Sequence, residues 1–226
     1  MKKVLILYKF LPQYRIEFFN GLKKELEKNN IQLTLVYGKL KNSASKKKDE
    51  VELPWAIYRE NKTFTVGSTQ LIWQPVSDMI KEHDLVITEQ ANSLLNNYVL
   101  MFLRCIGKIK FAFWGHGANL QENPNSFKNR FKYLYLRECD WWFAYTNGVK
   151  EFLESKKVNS AHISVVNNAI DTKTLMQKYQ NISEEDANTF KRNMNINSEH
   201  IGLYCGALYA EKRIDFLIEA GILRRK

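Results

Sequence analysis

The stretch Phe111-Ala112-Phe113-Trp114-Gly115-His116-Gly117-Ala118-Asn119 decides how the rest of the chain is read. Its four leading apolar residues suit a buried parallel strand, and Gly-His-Gly then breaks the pattern, as a strand-to-loop junction does. In an open parallel sheet, ligands bind outside the carboxyl ends of the strands. An imidazole held there between two glycines points into that crevice, which makes His116 the first candidate for a catalytic residue. Its other reading is a ring hydrogen-bonded within a loop turn.

Outward from this strand, apolar runs alternate with segments of helical spacing. Residues 4–8 read as a central strand, and 14–28 as a helix with Ile16, Phe19, Leu22 and Leu26 along one side. A second strand follows at 31–37. Residues 39–50, carrying Lys46-Lys47-Lys48, read as an exposed loop. In 53–73, aromatic and β-branched residues broken at Asn61-Lys62 and Gly67-Ser68 suggest a short antiparallel excursion. A helix at 76–82, a strand at 84–88 ending on Glu89 and a helix at 92–106 lead to the anchor strand. Beyond it come a basic aromatic helix at 127–139, a strand at 141–145, a helix at 148–156 and a strand at 162–166. This cadence predicts an α/β fold, a Rossmann-like doubly wound parallel sheet over residues 1–168.

Residues 169–198 read as a linker and a polar helical stretch, with Ser183 and Asp186 in a capping-box-like start. A new strand at 201–205 and a helix at 212–225 open a second domain over 199–226. One strand and one helix leave their apolar faces bare. The expectation is therefore an incomplete second Rossmann-like domain, the chain being the front of a longer protein.

Composition narrows the partners. Hydrophobic residues at 45% and aromatics at 13% suffice for a packed interior, which excludes a disordered chain. The 34 Lys and Arg against 24 Asp and Glu leave a net charge of +10, so anionic partners are favoured: phosphorylated small molecules, lipid surfaces or nucleic acids. Cys105, Cys139 and Cys205 are odd in number and unpaired by spacing, as buried thiols in a reducing compartment would be. The apolar run after Met1-Lys2-Lys3 ends at Lys9, too short for a secretory signal, so a cytoplasmic protein is expected.

Several chemistries lack their motif. There is no Asp-x-Asp for metal-clamped sugar transfer, no Gly-x-Gly-x-x-Gly after residues 4–8 and no Gly-x-Ser-x-Gly elbow. His83, His116, His162 and His200 are scattered, without zinc-ligand spacing, so no metal site is expected. No recognised nucleic-acid motif accompanies the positive charge.

Four segments together resemble the family 4 glycosyltransferases. Gly206-Ala207-Leu208-Tyr209-Ala210-Glu211-Lys212-Arg213-Ile214-Asp215 is similar to the donor-phosphate segment that opens that family's second domain. Val166-Asn167-Asn168-Ala169-Ile170-Asp171 is similar to its interdomain junction. Gly-His-Gly after an apolar strand, and Pro12-Gln13-Tyr14-Arg15 with Phe18-Phe19 after the first strand, resemble its acceptor-side loops. The resemblance implies a GT-B architecture of two Rossmann-like domains. It also implies metal-independent sugar transfer from a nucleotide-sugar donor, with retention at the anomeric carbon and no cofactor beyond the donor itself.

On this resemblance Gly206, Lys212 and Arg213 bind the donor phosphates, and His116 lies near the reacting carbon. Tyr14, Arg15, Glu89 and Asn119 are its acceptor-side candidates. Charge shed onto a departing nucleotide diphosphate is stabilised by an ammonium and by helix N-terminal amides. The alternatives are an ordinary first-turn lysine for Lys212, a surface arginine for Arg15 and a solvated loop carboxylate for Glu89. Two departures stand out: Ala207 replaces the arginine many members carry, and the paired glutamates of the second domain have no counterpart.

The run Phe127-Lys128-Asn129-Arg130-Phe131-Lys132-Tyr133-Leu134 alternates cations with aromatics, suiting either a membrane surface bearing a lipid-linked acceptor or a core helix with snorkelling basic residues. The reading is a glycosyltransferase fragment of surface polysaccharide synthesis, peripheral to the membrane and with little activity on its own. Its rivals are a nucleotide-sugar epimerase or sugar phosphorylase of the same architecture, and a non-catalytic glycan- or lipid-binding module.

Overall fold

The strands that follow the sequence's apolar runs close into one parallel sheet. The computed structural model describes residues 1–39, 51–67, 69–118, 126–206, 208 and 210–223. Its strands are β1 (Lys2–Tyr8), β2 (Ile31–Tyr37), β3 (Ile57–Tyr58), β4 (Lys62–Val66), β5 (Thr69–Trp73), β6 (Leu85–Glu89), β7 (Lys110–Gly115), β8 (Trp141–Ala144) and β9 (Ile163–Val165). Seven of them lie in the order β3-β2-β1-β6-β7-β8-β9, all parallel, while β4 and β5 pair antiparallel as the predicted excursion. The winding runs outward from β1 to β3 and restarts on the other side of β1 with β6. Its sense therefore reverses between β1 and β6, where a doubly wound sheet opens a crevice at its carboxyl edge.

Alternation along each strand divides the core between two faces. Ile6, Tyr8, Leu35, Ile87, Ala112 and Trp114 pack with Leu11 and with Phe19 of α1 (Ile16–Lys28). On the other face Leu5, Leu7, Val86, Phe111, Phe113 and Trp142 meet α2 (Ser77–Ile80), α3 (Leu95–Cys105) and α5 (Asn147–Ser155) through Ile80, Leu100, Val149 and Leu153. Phe111 and Phe113 are fully buried, with ring centroids 4.6 Å apart edge to face. Each such burial contributes about 1.5–3 kcal/mol.

The basic aromatic helix, α4 (Phe127–Leu134), is shorter than the sequence predicts. The carbonyl of Leu136 accepts from Trp142 Nε1 at 2.7 Å, and the Asp140 amide donates to Phe111 O at 2.7 Å. A longer helix would need that carbonyl and that amide for itself. The thiol expectation also needs correction, since Cys139 is buried but Cys105 and Cys205 are exposed.

Met1–Asp171 forms one compact unit and Thr172–Lys226 another. The second holds α6 (Lys173–Gln180), α7 (Glu184–Asn193), a 3-10 turn at Ala210–Lys212 and α8 (Ile214–Leu223). Ser183 and Asp186 form the full capping box at the start of α7, with Asp186 N donating to Ser183 Oγ at 3.1 Å and Ser183 N to Asp186 Oδ2 at 2.9 Å. Residues 201–205 form no strand, because among the described residues of that unit there is no strand to complete its hydrogen bonds. Among the described residues, no helix is long and apolar enough to cross a membrane. The loop 39–50 lies outside the described residues except for Lys39.

Candidate active site

The sheet register brings β1, β6 and β7 to their carboxyl ends together, with Leu7 beside Thr88 and Glu89 beside Trp114. Buried amides hold those ends. Gln74 Nε2 donates to the Tyr8 carbonyl at 3.0 Å, and Gln74 is itself locked to Asn96 by two 2.8 Å hydrogen bonds. Asn97 Nδ2 donates to the Glu89 carbonyl at 3.0 Å, and Asn61 Nδ2 to that of Lys9 at 2.7 Å. These four amides escaped the sequence reading. Their one signal was a polar Asn96-Asn97 pair opening an otherwise apolar helix.

Across the reversal between β1 and β6, Lys9 Nζ lies 3.3 Å from Glu89 Oε2. The approach is Coulombic only, for Glu89 Oε2 is buried without a hydrogen bond among the described residues. Glu89 thus stands where the sequence places it, partnered by a lysine that the sequence reading passed over.

His116 follows β7 directly. Gly115 has φ +145° and Gly117 φ +69°, and a Cβ on Gly117 would sit 3.1 Å from Leu153, so the turn that presents the imidazole requires glycine. The ring is solvent-exposed on one side and meets Tyr145 edge-on at 4.6 Å. Partial burial, then the nearby Lys132 cation, hold its pKa below the ordinary 6.5. At neutral pH the imidazole is uncharged, able to donate or accept a proton. Burial also keeps the neighbouring phenol of Tyr145 protonated, its pKa raised to about 12.

Lys132, on α4, is 9% exposed and forms no ion pair with any described residue. Burial and the like charge of Lys9 lower its pKa to about 8, and Glu89 offsets them in part. The whole of α4 is turned outside in: Asn129 and Lys132 are buried, while Phe127 and Leu134 are 84% and 74% exposed. Its neighbour α3 likewise buries Asn96 and Asn97 and exposes Val99 and Phe102. Tyr98 packs against Phe131 and Tyr135, and Asn92 Nδ2 donates to Lys128 O at 2.9 Å, joining the two segments.

Arg15 departs from its reading as a surface residue. It ends the 3-10 turn Gln13–Arg15 and is 1% exposed. Nη1 donates to the Ala169 carbonyl at 3.2 Å and Nη2 to Asn168 Oδ1, while the plane lies 5.2–5.7 Å from the rings of Tyr14, Phe18, Trp114 and Tyr145. Its Nε has no hydrogen-bond partner among the described residues. The guanidinium clasps residues 168 and 169, beside Asn167 with its left-handed φ of +56°, instead of facing solvent. Tyr14 is 48% exposed and covers this cage from outside. Asn119 lies outside the described residues.

Gly206, Lys212 and Arg213 belong to the second unit. Lys212 ends the 3-10 turn rather than starting a helix, and Arg213 has φ +49° before α8 begins at Ile214. Arg213 is exposed and lies 3.3 Å from Asp215. The two basic residues therefore stand on a turn that precedes the helix, which corrects the predicted helical start at 212. A side chain at Gly206 would meet the Tyr204 hydroxyl at 2.8 Å.

No family model matches the chain, and no curated protein matches it in sequence. Solved structures do share its fold. HepE of Anabaena, in complex with UDP-glucose, aligns at 14% identity over 86% of this chain and 50% of that one, with a TM-score of 0.51. The UDP-GlcNAc 2-epimerase of Methanocaldococcus jannaschii, in complex with UDP-GlcNAc and UDP, aligns at 17% identity over 85% and 54%, with a TM-score of 0.50. The chain spans about half the length of each of these structures. The likeness establishes an α/β Rossmann-like fold, consistent with the GT-B architecture. The resemblance to family 4 rests on the sequence motifs alone.

Proposed function

We propose that this chain belongs to a glycosyltransferase that moves a sugar from a nucleotide-sugar donor to a glycan or lipid-linked acceptor in surface polysaccharide synthesis. The observation that carries the reading is the convergence of Glu89, His116 and Lys132 at the carboxyl edge of β6 and β7, beside the winding reversal. An uncharged imidazole at that edge can take the acceptor hydroxyl's proton as the new bond forms. The partly exposed Glu89 carboxylate can orient the same hydroxyl. Gly206, Lys212 and Arg213 are the proposed donor-phosphate contacts, steadying the diphosphate as it departs, with retention and without a metal. That both aligned structures were solved with UDP or a UDP-sugar supports a uridine nucleotide as the donor's carrier.

A lipid-linked acceptor finds support in the outward faces of α3 and α4. Val99, Phe102, Phe127, Phe131 and Leu134 are exposed there beside the exposed cations Lys128 and Arg130. Apolar stripes with basic neighbours suit an anionic lipid surface, and so a peripheral seat on the inner face of the cell membrane.

The second reading is a nucleotide-sugar epimerase, favoured by the shared fold of the Methanocaldococcus UDP-GlcNAc 2-epimerase. Product analysis of the full-length protein with UDP-glucose or UDP-GlcNAc and a membrane lipid extract separates them. A new glycosidic linkage supports transfer; a donor inverted at one carbon, with no acceptor consumed, replaces it with epimerisation. In the transfer case His116→Ala lowers turnover roughly 100-fold or more with the fold intact.

A further inference from the structure

A buried ammonium without a counter-ion is costly, and among the described residues Lys132 has no ion pair. A different rotation of α4 would bury Phe127 or Phe131 and release the lysine to water; the observed one does the reverse. Among the described residues, the only carboxylate close enough to act on Lys132 is Glu89, and Glu89 already faces Lys9. Lys9, Glu89 and Lys132 together carry one net positive charge, and uncharged His116 adds nothing to balance it. The Glu89 side chain keeps 21% of its surface open, and so leaves an acceptor for a hydroxyl beside this surplus. The crevice thus offers one place for a neutral hydroxyl and one for negative charge.

We propose that the acceptor carries a phosphate group close to its reacting hydroxyl, and that this phosphate is bound by the Lys132 ammonium at the carboxyl ends of β1, β6 and β7. This rests on the reading of the crevice as the acceptor site, but binding can be measured without turnover. A failure here therefore leaves the transferase reading standing, and a failure of transfer leaves this site standing as a phosphate site.

The test is thermal unfolding of the 226-residue chain at pH 7 and fixed ionic strength, with methyl phosphate as the acceptor's stand-in and UDP as the donor's. Methyl phosphate should raise the Tm, and Lys132→Met should weaken its apparent affinity roughly tenfold or more. Lys24→Met, an exposed cation on α1, should respond as the wild type does. If Lys132→Met proves poorly folded, the wild-type His116 ring proton followed by NMR serves instead: methyl phosphate should raise the His116 pKa. The proposal is overturned if Lys132→Met keeps the wild-type response, if Lys24→Met loses it, or if the His116 pKa does not move. A response to UDP that exceeds the one to methyl phosphate and depends on Lys132 would also overturn it, by giving the site to the donor.

Discussion

Arg15 and Lys132 are both cations withdrawn from water in the first unit, and their surroundings differ completely. Arg15 has a carbonyl and an amide oxygen on its terminal nitrogens and aromatic rings around its plane. Lys132 has a second lysine nearby and no carboxylate in ion-pair contact among the described residues. A cation whose terminal nitrogens and planar faces are both engaged by its own chain is committed to architecture. One buried with no ion pair among the described residues is held against the fold's interest, and that is the mark of a group kept for a ligand. The contrast assigns the first to clasping residues 168 and 169, and the second to the strand-end crevice.

The largest effect should come from breaking the clasp. Arg15→Ala empties a fully buried, ring-lined site and removes both hydrogen bonds to residues 168 and 169, and should cost about 3–5 kcal/mol in chemical denaturation. Arg15→Lys should recover little of it, because an ammonium cannot reproduce the planar fork.

Next in size is the opposite sign at Lys132. The folded-state pKa of about 8 lies below the ordinary 10.5, so the unfolded chain binds more protons between those values. Stability should therefore climb with pH from about 8 to 10.5, while the penalty stays full below about 8. That penalty is on the order of 3 kcal/mol, and Lys132→Met should remove both it and the climb. A matching loss of stability in Lys132→Met at pH 7 would erase the contrast with Arg15.

The smallest effect sharpens the clasp itself. Asn168→Ala removes one hydrogen-bond acceptor from Arg15 and leaves its aromatic surroundings, so equilibrium unfolding should register about 1–3 kcal/mol.

Much of this architecture was legible beforehand because it follows from local pattern. The apolar runs at 31–37 and 111–114 have the length and bulk of buried parallel strands, and Gly-His-Gly can be read as a strand end without any tertiary knowledge. What could not be read was long-range. Arg15 meets Asn168 across 153 positions, and Gln74 reaches Tyr8 across 66, so nothing near either residue announces its partner. Lys132 was hidden for a different reason. In a stretch that alternates cations and aromatics, periodicity cannot say which set turns inward, and the intuitive choice of burying the aromatics is the one the fold rejects. The strand expected at 201–205 failed because strand formation is a property of a pair, not of a segment.

The contrast between the two cations is tested most directly by following the Lys132 side chain by NMR through a pH titration, with and without methyl phosphate. The expected midpoint is about 8 in its absence, moving toward the ordinary 10.5 when the anion is present. A midpoint already at 10.5 that ignores the phosphate would contradict the assignment of Lys132 as the crevice's waiting charge.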